Sequence, residues 1–377
     1  MIKVWDYLKE YEELRDEVLE AVDSVFKGGT LVFGPRVEEF EDKFSTYCDS
    51  EFGIGVGNCT DALYISLKAL GIGLGDEVIT VSNTAVPTVT AIAAVGATPV
   101  FVDIDEYSLI DVEEIPGAIT DKTKAILPVH LFGQTCDMDS IIDIANKNNL
   151  YVIEDCAQAH GATYKGKKAG SMGDVGCFSF YPTKIFGAYG DGGFITTNNE
   201  DLYDKMNRMR FFGMERKKMS SGHWNGKYYA LEYGPDTCNS RLDEVHAAIL
   251  LKKLEHIDEW IDRRREIAKR YNEELAGTSL SLHGEAPHNR HAYYIYVVGH
   301  PDRDKIMEEL RKRDIHLNIS YPWPVHTMIG YEYLRWREGD LPITEYNADR
   351  IFSLPMYPTL IDDEQTEVIN TLKEIIM

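Results

Sequence analysis

Apolar residues recur at helical spacing from the first turns of the chain. Leu8, Tyr11, Leu14, Val18, Val22 and Val25 fall on one face over residues 6–27, and Gly28-Gly29 ends that helix. Pro35 predicts the start of a second helix, with Val37, Phe40, Phe44 and Tyr47 on one side. The period then changes. Residues 52–57 read as a short, glycine-spaced strand or turn, and Asn58-Cys59-Thr60-Asp61 leads into a helix over 62–67. From there β-rich runs alternate with helical ones: strand 78–81, helix 87–95, strand 99–102, strand 125–129, helix 138–148, strand 150–153. Such alternation predicts a doubly wound α/β sheet of mostly parallel strands, whose ligands bind at the carboxyl ends of the strands. Val175, Cys177, Phe178 and Phe180 predict one more short strand, broken at Tyr181-Pro182. In the last third, Leu242, Val245, Ile249, Leu254, Ile257 and Ile261 predict a long helical connection, in one piece or two. A strand over 293–298, a helix over 303–313, a strand near 315–321 and an amphipathic helix over 362–377 follow.

Length and composition narrow the class. A chain of 377 residues exceeds one typical core, so two lobes are expected. With 39 basic against 62 acidic residues the net charge is −23, which argues against nucleic acid or an anionic membrane as main partner. Residues 85–102 carry no charge, but Pro87, Gly96 and Pro99 divide them into a buried helix and a buried strand, and no membrane span is expected. The N-terminus has no secretory pattern. The six cysteines form no C-x-x-C pair and no metal-ligand spacing, as for reduced thiols of a cytoplasmic protein without a structural metal. Arg263-Arg264-Arg265 reads as a solvated helix face.

Three stretches carry candidate chemistry. The Gly57-Asn58 turn before a helix start has the physics of an anion site, although an ordinary N-cap by Thr60 or Asp61 reads equally well. Two carboxylates, Glu154 and Asp155, end a buried strand. An acid there can hold a ring nitrogen protonated, or can serve as a cap or a paired structural group. Lys184 lies between Pro182 and Phe186, ahead of four glycines between 187 and 193 that allow close backbone approach and positive φ. Desolvation there would lower the amine's pKa and leave it neutral to attack a carbonyl, whereas the plain alternative is an exposed loop lysine. Together these are the parts of a pyridoxal phosphate (PLP) site.

Glu154-Asp155-Cys156-Ala157-Gln158-Ala159-His160-Gly161, Phe178-Ser179-Phe180-Tyr181-Pro182-Thr183-Lys184, Gly187-Ala188-Tyr189-Gly190-Asp191-Gly192-Gly193 and Asn239-Ser240-Arg241-Leu242-Asp243-Glu244 resemble the signature blocks of DegT/StrS-type sugar-nucleotide aminotransferases. The resemblance runs from Gly34-Pro35 to Leu354-Pro355-Met356. It implies the fold type I aminotransferase architecture: a large PLP-binding domain over 1–250, including an N-terminal helical segment, and a small C-terminal α/β domain over 251–377. It implies Lys184 as the Schiff-base lysine and proton shuttle, and Asp155 as partner of the pyridine nitrogen. Gln158 would lie against the ring near its hydroxyl. Cys59 (through its backbone N–H), Thr60 and Ser179 would hold the phosphate, with Asn239 reaching it from the partner of a homodimer. Where many members carry a ring-stacking aromatic, this chain has Ala85, and no stacking residue is assigned.

The same resemblance offers Tyr189, Arg241, Tyr321 and His326 as substrate contacts. Apart from it, the basic cluster of Arg208, Arg210 and residues 214–223, with Arg216, reads either as a clamp for a diphosphate or as a solvated loop. The resemblance implies transamination from L-glutamate, through pyridoxamine phosphate, to a keto-sugar nucleotide, in the manner of a dTDP-3-keto-6-deoxyhexose 3-aminotransferase feeding surface glycan or glycoside synthesis. The alternatives are a 4-keto-sugar aminotransferase, a PLP-dependent sugar dehydratase, and a non-catalytic PLP-binding regulator. Lys184 counts against the dehydratases that carry histidine in its place.

Overall fold

The computed structural model describes residues 1–214 and 234–376. Its larger part is built on a seven-stranded sheet of β1 (Phe52–Val56), β2 (Glu77–Val81), β3 (Thr98–Val102), β4 (Thr123–Ile126), β5 (Tyr151–Asp155), β6 (Val175–Ser179) and β7 (Gly193–Thr197). The strands lie in the order β1-β7-β6-β5-β4-β2-β3. β6, β5, β4, β2 and β3 are parallel neighbours, while β7 runs antiparallel to both β1 and β6. β1 therefore points the same way as the parallel set, and six carboxyl ends open on one edge. The expected mostly parallel α/β sheet is present. β7 escaped the reading of the sequence because its first residue closes a glycine run that looks like loop.

Helices follow where the pattern placed them. Asp6 caps α1 (Tyr7–Gly28), and Gly29 ends it in the left-handed region at φ 71°. α2 (Pro35–Tyr47) and α3 (Cys59–Ala69) lead into and out of β1, and α4 (Val86–Ala94) precedes β3. The expected long connection breaks into two helices, Glu244–Leu254 and Ile257–Leu275. Among the described residues no helix is long and apolar enough to cross a membrane.

Two packing features position the later chemistry. Phe40, Phe44, Phe178, Phe180, Phe186 and Phe194 form a buried cluster behind β6 and β7, with Phe44 meeting Phe194 edge-on at 5.0 Å and Phe178 at 5.3 Å. A second core joins Tyr271, Tyr296, Phe352 and Leu372 of the C-terminal part. Ile2 belongs to this core, its strand Ile2–Lys3 pairing with Ile315–His316, whereas Ile295 and Ile351 pack in the main core. The strand expected at 293 begins only at Tyr296. Residues 291–295 are instead irregular chain, with Tyr293 at φ 49°.

α2 has glycine at its N-cap and no side-chain cap of its own. Glu244, 210 residues on from Gly34, supplies one. Its carboxylate accepts from the N–H of Gly34 (2.8 Å), Val37 (3.0 Å) and Arg36 (3.0 Å). These are charge-assisted bonds to orphan donors at the positive end of a helix. Glu244→Ala should therefore cost about 3 kcal/mol in urea unfolding, and Glu244→Gln, which keeps one acceptor, clearly less. Equal losses in the two variants would show that the cap contributes nothing.

Candidate active site

The sheet's carboxyl edge gathers the candidate groups. At the end of β1, Asn58 caps α3 by accepting from the N–H of Asp61 at 2.8 Å, and its carbonyl takes the N–H of Ala62 at 3.1 Å. The N–H groups of Cys59 and Thr60, first in the helix, have no intrahelical carbonyl to reach. Ser240 bonds both the Gly57 N–H (2.8 Å) and the Asp61 carboxylate (2.6 Å), and so fixes the turn. Gly193 completes the cradle. A Cβ there would stand 2.3 Å from the Asn58 carbonyl carbon and 2.8 Å from the Cys59 nitrogen. Ser179, facing Gly193 across the β6–β7 ladder, is buried beside it.

β5 delivers two neighbouring acids in opposite directions, as strand alternation requires. Glu154 accepts from His130 Nε2 (2.9 Å) and from the N–H groups of Gly170, Met172 and Gly173. Burial pushes its pKa up, but these donors and the His130 ring outweigh burial and hold it below the usual carboxylate value. Asp155 has less support: the Thr88 hydroxyl at 2.8 Å and the Ala157 N–H at 3.1 Å. Burial wins, and its pKa is raised. Asp155 is thus the carboxylate with the weaker support, and Glu154 the fully paired one. Gln158, just beyond, accepts from the Phe132 N–H (2.8 Å) and donates to the Tyr321 hydroxyl (2.9 Å).

Lys184 sits in a closed turn. Its own N–H reaches the Tyr181 carbonyl at 2.9 Å, the Ala188 N–H reaches that of Phe180 at 2.8 Å, and Lys253 Nζ holds the Gly187 carbonyl at 2.5 Å. None of the four glycines from 187 to 193 has a positive φ, contrary to expectation. They are needed for closeness instead: a Cβ on Gly187 would lie 2.6 Å from the Pro182 carbonyl oxygen. The half-buried Lys184 amine lies 4.5 Å over the Tyr294 ring centroid. Among the described residues it has no hydrogen bond or ion pair within contact distance. The expectation of a neutral amine is corrected here. Burial does lower its pKa, but Tyr294, Tyr321, Asp155 and Cys59 together more than reverse that, leaving the pKa above the ordinary lysine value.

The remaining candidates divide. Tyr321 joins Lys184, Asp155, Cys59 and Gln158 in one pocket. Tyr189 turns away toward α1, packing on Tyr7 and Tyr11 under Lys253. Arg241 stacks on Phe211 (4.6 Å) and Phe33 (5.6 Å), and Asn239 is exposed. His326 is a further correction. It is buried with Nδ1 on Ser82 Oγ (2.7 Å) and Nε2 on Glu345 (3.0 Å), which leaves neither ring nitrogen for a ligand. Arg216 and most of the basic stretch 214–223 lie outside the described residues. The sequence reading missed Thr88 and Tyr294. A threonine in an uncharged helix and one tyrosine among several carry no signal until the fold brings them to Asp155 and Lys184.

Comparisons with known proteins bear on the chain as a whole. Residues 12–373 match the DegT/DnrJ/EryC1/StrS aminotransferase family. A dTDP-3-amino-3,4,6-trideoxy-alpha-D-glucose transaminase of Micromonospora megalomicea subsp. nigra is 48 % identical over 99 % of this chain and 98 % of that protein. A pleiotropic regulatory protein of Geobacillus stearothermophilus is 39 % identical over the same shares. The crystal structure of S. venezuelae DesV superposes with a TM-score of 0.92 at 37 % identity, covering 98 % of this chain and 97 % of that one.

The raised pKa of Asp155 has a consequence for stability. A group whose pKa is higher folded than unfolded favours the fold below its unfolded pKa and loses that contribution as pH rises through the folded value. Above that range, ionised Asp155 destabilises the cofactor-free chain. Asp155→Asn should accordingly melt roughly 2–4 °C higher than wild type near pH 8, with the gain vanishing as pH falls through the carboxylate range. A gain that persists at low pH would rule out this origin.

Proposed function

The chain belongs to the DegT/DnrJ/EryC1/StrS aminotransferase family, and from that premise we propose that it transfers an amino group from L-glutamate to C3 of a dTDP-linked 3-keto-6-deoxyhexose. It is a PLP-dependent sugar-nucleotide transaminase; the C3 position, the dTDP carrier and the donor are the proposal. The observation that carries the reading is the convergence of Lys184, Asp155 and the free N-terminal turn of α3 on one edge of the sheet.

The residues fit the cofactor. The N–H groups of Cys59 and Thr60 at a helix N-terminus, unpaired among the described residues and with Gly193 packed too close to bear a Cβ, suit a phosphate. A buried acid with too few donors suits a protonated ring nitrogen. Bound PLP supplies an aldehyde that exchanges between amines and a ring that takes up electrons when a bond beside the nitrogen breaks. Cys59, Thr60 and Ser179 would bind its phosphate end, Asp155 would hold a proton at the ring nitrogen, and Gln158 with Tyr321 would border the ring. Lys184 Nζ, beside Asp155 and two tyrosines, would take the migrating proton as the neutral amine and return it as the ammonium. Asn239, exposed at its bridge with Phe211, would serve a partner subunit's phosphate in a homodimer. Tyr321 is the substrate contact retained from the sequence; Tyr189 and Arg241 would line a more distant part of the path.

The 48 % identity to a transaminase named for a 3-amino sugar favours C3 over C4. One relative is named as a regulator, but a complete lysine, acid and phosphate set favours catalysis. The holoenzyme, given L-glutamate and dTDP-3-keto- or dTDP-4-keto-6-deoxyhexose, should aminate the 3-keto sugar, with the new nitrogen located by NMR. Exclusive 4-amination would refute the positional assignment. Failure of glutamate to bleach PLP absorbance would refute it as donor. Lys184→Ala should lose about 10²–10⁴-fold in turnover.

A further inference from the structure

Tyr294 and Arg264 are joined by geometry that neither the fold nor the proposed reaction accounts for. Arg264 belongs to a basic triplet expected to be solvated, yet it is 2 % exposed. Its neighbours do face outward, Arg263 on Asp362 and Arg265 on Glu285. Arg264 points inward from the Ile257–Leu275 helix. Its Nη1 donates to the carbonyls of Met356 (2.9 Å), Tyr293 (3.1 Å) and Tyr294 (3.2 Å). Burial pulls the pKa of this guanidinium down to about 10, which still leaves it charged at neutral pH. One buried cation thus ties the irregular chain before Tyr296 to the segment after the last strand. The same chain is pressed on Gly133, where a Cβ would meet the Tyr294 nitrogen at 2.7 Å, and the Ala292 N–H bonds the Gly133 carbonyl at 2.7 Å.

The side chain so held touches the reactive loop twice. Its ring face lies 4.5 Å from Lys184 Nζ, within cation–π range. Its hydroxyl lies 3.1 Å from the Oγ1 of Thr183, the residue before the lysine. One contact acts on the amine and the other on the backbone that carries it.

We propose that Tyr294 is a positioning residue for Lys184: its ring face orients the ε-amine, its hydroxyl anchors the loop through Thr183, and Arg264 holds it in place from the C-terminal part of the chain. The proposal rests on Lys184 being the reactive amine. The groups that act on that amine are Tyr294, Tyr321 (bonded to Gln158), Asp155 at the tip of β5 and Cys59 at the start of α3, and the amine's charge in turn acts on buried His160. Removing the ring face alone leaves the others in place, so the ammonium loses one source of stabilisation while its desolvation remains.

The test uses the full-length chain freed of cofactor, so that it does not depend on turnover or on the identity of the sugar. Trace acetylation with acetic anhydride across a pH series, read by mass spectrometry against exposed Lys147, gives the midpoint at which Lys184 becomes reactive. Tyr294→Met, which keeps bulk without the aromatic face, should lower that midpoint and raise Lys184 labelling below it by about fivefold. Tyr294→Leu should do the same. Tyr294→Phe keeps the face and should hold the wild-type midpoint. Arg264→Lys should shift it in the same direction as methionine, by less. An unmoved or raised midpoint in the methionine and leucine variants, even with a lower melting temperature, overturns the proposal, as does a phenylalanine variant that shifts as far as methionine. A Lys184 that proves not to be the catalytic amine would show in Lys184→Ala turnover and leave these midpoints untouched.

Discussion

Desolvation of one carboxyl group at a strand tip is the constraint around which this site is arranged. Asp155 and Glu154 are neighbours in sequence and equally hidden from water, yet they titrate in opposite directions. The difference lies in donors. Glu154 collects three backbone N–H groups and an imidazole, while Asp155 has one hydroxyl and one N–H. A fold selected only for stability would give both the same support or place a neutral residue at 155. The deficit at Asp155 is local electrostatic strain that a cationic ring nitrogen would relieve, and it sits where parallel strands expose their carboxyl ends.

Much of this was legible in the sequence. Periodicity located α1 to α4 and all of the parallel strands within a few residues, because each is an amphipathic or buried run, several of them bounded by glycine or proline. Lys184, Asp155 and Gln158 were reached through signature blocks that the structure brings to one pocket with Tyr321. What stayed hidden was whatever depends on distance in three dimensions. β7 hid behind a glycine run. Arg264 differs from Arg263 and Arg265 only in the helix face it occupies, and a local count of charge cannot see that. His326 stands in a segment that does reach the pocket, but Tyr321, five residues earlier, is the side chain that faces it, while the histidine closes a buried bridge between Ser82 and Glu345.

The correction at Lys184 shows why burial alone is a poor guide to an amine's state. Hydrophobic flanks suggested a neutral group, and the desolvation they imply is indeed the largest single influence. Several modest contributions of one sign can still exceed it, and here two tyrosine hydroxyls, a carboxylate and a thiol all favour the charged form. A protonated amine stabilises the otherwise poorly supported Asp155 in the same pocket. Lysine and acid therefore compensate each other in the resting chain, and a bound ring nitrogen would take over part of that role.

The pocket's floor and walls come from different stretches of the chain. Cys59, Ser179, Asp155 and Gln158 stand on or beside the sheet, and their positions follow from strand order. Tyr294 and Tyr321 pack against the main core but arrive on irregular chain that flanks elements of the second one, which includes Ile2 and the Tyr271–Tyr296 stack. The amine thus senses how the two cores are packed through Arg264 and Tyr294, while Ile257 and Ile261 of the same helix pack in one cluster with Cys156 and Ala159 beyond the tip of β5. A cofactor gripped by the floor and a lysine aimed by the wall can meet only when both cores are correctly seated, so the same packing that stabilises the fold also sets the geometry of the reacting atoms.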